Sequence, residues 1–86
     1  MVKYSLKIKK SAAKELAKIP PPDLRRIIDK IKNLSIDPRP VGSQKLANFE
    51  LYRVRQGDYR IVYSINDMEI IIEIIKIGHR RDIYKF

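Results

Sequence analysis

Between Leu51 and Ile65 the chain reads LYRVRQGDYRIVYSI. Two alternating runs, Leu51 to Arg55 and Tyr59 to Ile65, flank Gln56-Gly57-Asp58, a sequence suited to a tight turn. The stretch is therefore expected to be a β-hairpin. A period of two sets its faces: Tyr52 and Val54 share one side with Tyr59, Ile61, Tyr63 and Ile65, while Arg53 and Arg55 share the other with Arg60 and Val62. The first face is apolar enough for a core. The second gathers guanidiniums on neighbouring strands, where cross-strand partners lie about 5 Å apart. Such a group repels itself unless an anion sits within it, and a phosphate suits it because the guanidinium fork matches phosphate oxygens. Arginines scattered over a solvated surface are the plain alternative.

Working outward, Asn66-Asp67 makes the next turn, and Glu69 to Ile77 is a strand apolar on both faces, which implies a central position. Gly78 is expected to break it, leaving His79, Arg80, Arg81 and Tyr84 in a tail. That tail either folds over the arginines or is a basic terminus, with Tyr84 and Phe86 plugging the sheet. Towards the N-terminus, Val41 to Asn48 reads as a loop and Asp37-Pro38-Arg39-Pro40 as a helix stop. Leu24, Ile27, Ile28, Ile31 and Leu34 form the apolar stripe of a helix whose other face carries Arg25, Arg26, Lys30 and Lys32. Pro20, Pro21 and Pro22 separate it from a shorter helix, Ala12 to Ile19, with Ser11 as expected N-cap. Val2, Tyr4, Leu6 and Ile8 alternate with polar residues, as in a half-buried strand. The expected architecture is α+β in the order β-α-α-β-β-β, with two N-terminal helices packed on one face of a small antiparallel sheet. The other face stays open, and residues 1–86 form one domain.

Composition narrows the partners. Nineteen Lys and Arg against ten Asp and Glu give 86 residues a net charge of +9, which favours a polyanion or an acidic protein. The absence of cysteine removes disulfides and thiolate chemistry and fits the cytoplasm. Met1 to Lys10 lacks the apolar core of a signal peptide, and Glu73 and Lys76 interrupt the longest apolar run, so neither export nor a membrane partner is expected. A single histidine excludes a two-imidazole ribonuclease, and no Asp, Glu and His spacing suggests a metal, so no cofactor is expected. Ser11 and Ser43 have no sign of an activating base. Positive charge and one imidazole or phenol are left to carry any chemistry.

Lys45-Leu46, Leu51-Tyr52-Arg53-Val54-Arg55, Gly57-Asp58-Tyr59-Arg60-Ile61-Val62-Tyr63 and Ile77-Gly78-His79-Arg80-Arg81-Asp82-Ile83-Tyr84 resemble the RelE family of toxins. The hairpin motif is shared across the RelE/ParE superfamily, while the tail resembles its ribonuclease branch. The resemblance implies the toxin of a type II toxin–antitoxin system that enters the ribosomal A site and cuts mRNA without a metal, by attack of a 2′-hydroxyl on the adjacent phosphate. It implies that Arg60 and Arg80 neutralise that phosphate in the transition state, each donor contributing about 3 kcal/mol by analogy with oxyanion holes. Tyr84 then stacks on the base or orients the 2′-hydroxyl. Arg53 and Arg55 stand where some relatives carry Lys; arginine does not lose its proton, so they are phosphate clamps, grouped with Lys45 and Arg81. His79 or Tyr84 becomes the candidate acid or base, His79 having the better intrinsic pKa. The implied partners are the ribosome, mRNA and an acidic, RelB-like antitoxin, in a toxin–antitoxin heterotetramer. Two rivals share the sequence features: a ParE-type toxin that poisons DNA gyrase, and a basic RNA- or ribosome-binding protein that leaves RNA whole.

Overall fold

Val54, Ile61 and Tyr63 from the central hairpin meet Ile72, Ile74 and Ile77 of the last strand under Ala12, Ile19, Ile27, Ile31 and Leu34, and these buried side chains form one core. A computed structural model describes residues 3–47 and 49–79. Its elements are β1 (Ser5–Ile8), α1 (Lys10–Ala17), α2 (Asp23–Leu34), β2 (Gln44–Lys45), β3 (Tyr52–Gln56), β4 (Tyr59–Asn66) and β5 (Ile71–His79). The strands lie in the order β1-β5-β4-β3-β2. α1 packs along β5 and α2 across β3, so the helix layer covers one side of the sheet. Among the described residues no helix is long and apolar enough to cross a membrane.

The α+β class and element order match the sequence expectation, and the pairings refine it. β1 runs parallel to β5, with Leu6 opposite Ile72 and Ile8 opposite Ile74, so the sheet is mixed rather than wholly antiparallel. The reason is the helical crossover: a chain that returns through two helices can enter beside the last strand in the same direction. Segment 41–48, expected as loop, contributes the short strand β2, which pairs Gln44 with Arg53 and Lys45 with Tyr52.

Two boundaries also move. α1 begins at Lys10 with Lys9 as N-cap and no side-chain cap, so Ser11 falls inside the helix. The Lys9 N–H donates to the Ile74 carbonyl (2.9 Å) while its own carbonyl accepts from Ala13 (2.9 Å), so sheet pairing hands the backbone directly to the helix. Gly78 does not end β5; it pairs with Arg60, and His79 pairs with Tyr59, because β4 supplies partners to its first residue. The pairing also slips between Val62–Lys76 and Tyr63–Ile74, leaving Ile75 as an extra residue. That bulge shifts the alternation by one, which is how Ile72, Ile74 and Ile77 all reach the core.

A polar network closes the end of the sheet near the α2–β2 loop. The Tyr4 hydroxyl donates to Asp67 Oδ1 (2.6 Å), and Arg39 Nη2 donates to Asp67 Oδ2 (3.0 Å). Arg39 also lies over the Tyr52 ring, 5.2 Å from its centroid, and Tyr52 stacks on Tyr63 at 6.0 Å. The Tyr63 hydroxyl donates to the Pro38 carbonyl at 2.7 Å, and burial pushes its pKa up to about 12. The Tyr4 hydroxyl, and next the Arg39 guanidinium, hold the Asp67 carboxyl below its ordinary value.

Two measurements check this account. Ile61 is wholly buried and Val41 wholly exposed, so Ile61→Ala should cost roughly 2–5 kcal/mol in denaturant unfolding while Val41→Ala stays within about 0.5 kcal/mol. Equal effects would misplace the core. Because the folded-state pKa of Asp67 is depressed, its contribution is complete above the ordinary carboxylate range and is lost as pH falls through the folded value. Asp67→Asn should therefore lower the thermal midpoint at neutral pH, with the gap to wild type closing in acid; a gap that widens in acid contradicts the network.

Candidate anion-binding site

The β3–β4 register decides what the open face carries. Arg55 lies directly opposite Arg60, and Arg53 lies between Gln44 on one neighbour and Val62 on the other. Their common face is the one away from the helices, since the alternate residues Val54 and Ile61 belong to the core. Gly42, Gln44, Arg53, Arg55 and Arg60 line one cleft of about 190 Å³. Gly42 has φ +94°, a conformation that favours glycine, yet a Cβ there would meet nothing within 4 Å. Its requirement is therefore conformational rather than steric.

Each guanidinium is tethered to a neutral acceptor. Arg53 Nη2 donates to Gln44 Oε1 (2.7 Å), Arg55 Nε to the Gly57 carbonyl (3.0 Å) and Arg60 Nη1 to the Tyr59 carbonyl (3.4 Å). Gly57, at φ +60°, makes the two-residue turn that brings its carbonyl within reach of Arg55. Among the described residues none of the three arginines pairs with a carboxylate, whereas Arg39, Lys45 and Lys76 are offset by Asp67, Glu50 and Glu15. The cleft therefore keeps three positive charges and spare N–H donors. It can bind an anionic oxygen cluster and stabilise added negative charge, but it cannot remove a proton, because arginine stays protonated.

The remaining sequence candidates fall elsewhere. Lys45 sits on the Tyr52 side of the sheet and pairs with Glu50 at 3.4 Å, beside a different cleft that includes Leu46 and Phe49. His79 is also on the helix-facing side: its ring meets Tyr59 edge-on at 5.8 Å, in a cleft with Glu15, Lys18 and Ile19. Gly78, not His79, is the residue opposite Arg60. Arg80, Arg81 and Tyr84 lie outside the described residues. Sequence reading missed Gln44 and Gly42, both inside the segment taken as loop. The only signal was that Gln44 lies one residue before Lys45-Leu46, a pair already singled out. Among the described residues no three His, Cys, Asp or Glu side chains gather in a way that could hold a metal ion.

Residues 6–84 match the family model for the ParE toxin of type II toxin–antitoxin systems. The chain is 31% identical to the toxin RelG of Mycobacterium tuberculosis over 95% of this chain and 97% of that protein. It is 32% identical to the putative toxin RelE1 of Methanocaldococcus jannaschii, over 98% of both. The archaeal RelE–RelB complex of Pyrococcus horikoshii OT3 contains a chain of the same fold, with a TM-score of 0.82 and 34% identity over 92% of this chain and 97% of that one. With the hairpin, the helix layer and the open arginine face in place, these likenesses establish that the chain belongs to the RelE/ParE superfamily of type II toxin–antitoxin toxins.

Proposed function

We propose that this toxin is a metal-independent endoribonuclease that cuts mRNA in the ribosomal A site. The observation that carries the reading is the cleft of Arg53, Arg55 and Arg60, three adjacent guanidiniums that no described carboxylate offsets. A phosphodiester in that cleft meets fork-shaped donors. When a 2′-hydroxyl attacks the adjacent phosphorus, negative charge on the phosphoryl oxygens grows, and fixed cations favour the transition state over the ground state. Arg60 is cast as the principal stabiliser, with Arg53 and Arg55 as clamps. Arg80 beside the leaving 5′-oxygen and Tyr84 on the base complete the proposal, with Arg81 as a further backbone contact.

The proton chemistry needs a group other than arginine. Tyr84 is the preferred candidate. His79 stays as an alternative that must overcome its place on the helix-facing side, against Tyr59. Lys45 is proposed only as an outlying RNA contact, since its ammonium already meets Glu50. The partner is an acidic antitoxin of the RelB kind, by analogy with the RelE–RelB complex of Pyrococcus horikoshii, and the site of action is the cytoplasm.

The family model is described for ParE toxins, which favours a second reading: poisoning of DNA gyrase with no RNA cleavage. The cellular lesion separates the two. Expression without an antitoxin should arrest growth, and mapped mRNA ends should fall within translated codons. Intact mRNA with broken DNA would select the gyrase reading. In a translating extract, Arg60→Ala should lower the single-turnover cutting rate by roughly 100- to 1000-fold with little change in ribosome binding. Undiminished cutting by that variant rejects the arginine mechanism, and undiminished cutting by His79→Ala removes His79 as the base.

A further inference from the structure

Gln44 is exposed, and on its own its identity would need no explanation. Its contact does. Among the described residues, the 2.7 Å bond from Arg53 to Gln44 Oε1 is the shortest of the tethers on the three arginines and the only one made to a side chain. An amide oxygen orients a guanidinium without cancelling its charge; a carboxylate at the same place would form an ion pair and neutralise part of the cleft. With Oε1 turned to Arg53, the Gln44 amide nitrogen retains donors that nothing among the described residues accepts, and the side chain lines the same cleft.

The backbone beneath Gln44 is held independently of the arginines. Segment 38–43 is clasped at its start by the buried Tyr63 hydroxyl, which donates to the Pro38 carbonyl at 2.7 Å. The Ser43 N–H donates back to the Pro40 carbonyl (2.9 Å), folding the segment on itself immediately before Gln44. Arg39 adds a second anchor through Asp67. A glutamine carried on a mobile loop could not orient a neighbour, because ordering both chains would cost more than the bond returns. Here the loop is already ordered by contacts on the core side of the sheet, and β2 pairing then sets Gln44 against Arg53.

We propose that Gln44 is a positioning residue of the anion cleft: it holds the Arg53 guanidinium in register with Arg55 and Arg60 while leaving the charge of the cleft intact. The proposal deepens the RNA-backbone reading and rests on it. It predicts that Gln44 acts through Arg53, so the effects of removing the two are not additive.

The test is a double-mutant cycle on binding of a short single-stranded RNA bearing 2′-O-methyl groups, which cannot be cut, read by fluorescence anisotropy at fixed salt. Gln44→Met should weaken binding about five- to tenfold, the scale of one ordinary net hydrogen bond. Arg53→Ala should weaken it at least as much, and the double variant should match Arg53→Ala alone. Gln44→Glu retains an acceptor but adds a negative charge, and should bind more weakly than Gln44→Met. Unchanged thermal midpoints confirm that these substitutions leave the fold alone. Multiplicative effects of Gln44→Met and Arg53→Ala, tight binding by Gln44→Met, or tighter binding by Gln44→Glu than by Gln44→Met each overturn the positioning role while leaving the anion cleft standing. Wild-type affinity in Arg53→Ala instead removes the clamp role of Arg53, and the role of Gln44 with it. Because the probe is never cut, a failure of ribosomal cleavage leaves this cycle readable.

Discussion

The antiparallel register that sets Arg55 against Arg60 is the constraint on which the other parts depend. It is made by a two-residue turn with Gly57 at φ +60°, and it assigns Val54 and Ile61 to the core in the same stroke that turns Arg53, Arg55 and Arg60 outward. A slip of one residue would reverse both assignments, driving guanidiniums under the helices and isoleucine into water. Burial therefore enforces the charge cluster. The chain cannot keep its core and disperse these arginines, because one alternation sets both.

That arrangement carries a local cost. Like charges placed directly opposite on neighbouring strands destabilise a sheet, by up to about 1 kcal/mol per pair. Elsewhere three cations are offset by carboxylates: Arg39 by Asp67, Lys45 by Glu50 and Lys76 by Glu15. Around the cleft it uses neutral acceptors instead, an amide and two carbonyls, which orient the forks without neutralising them. The pattern suits a site that meets a ligand with charge to be compensated and suits poorly a surface designed only for solubility. With a net charge of +9 the long-range field acts in the same direction and attracts polyanions.

How much of this could be read from the chain depended on the range of the interaction involved. The hairpin and α2 were legible because turn chemistry and periodicity are local, and the shared face of Arg53, Arg55 and Arg60 followed from alternation alone. The parallel pairing of β1 with β5 was not legible, since nothing near Leu6 or Ile8 specifies a partner more than sixty residues away. The bulge at Ile75 was hidden inside a run of isoleucines that looks the same in either phase. Gly78 looked like a strand end until β4 supplied it with a partner, and that continuation carries His79 to the side facing Tyr59. Gln44 was invisible because a two-residue strand has no periodicity to detect. The same holds for the clasp by Tyr63, where a residue expected in the core does hold a core place and also fastens a loop by its hydroxyl.

The central claim is that the three guanidiniums engage RNA backbone phosphates directly. The salt dependence of binding to an uncleavable single-stranded RNA tests it most directly, comparing wild type with a variant in which Arg53, Arg55 and Arg60 are all glutamine. Each phosphate contact on a single strand contributes about 0.7 to the slope of log affinity against log salt, so losing all three should reduce its magnitude by about 2. An unchanged slope would mean that RNA is held by other basic surfaces, and that the arginine cleft serves some other anion.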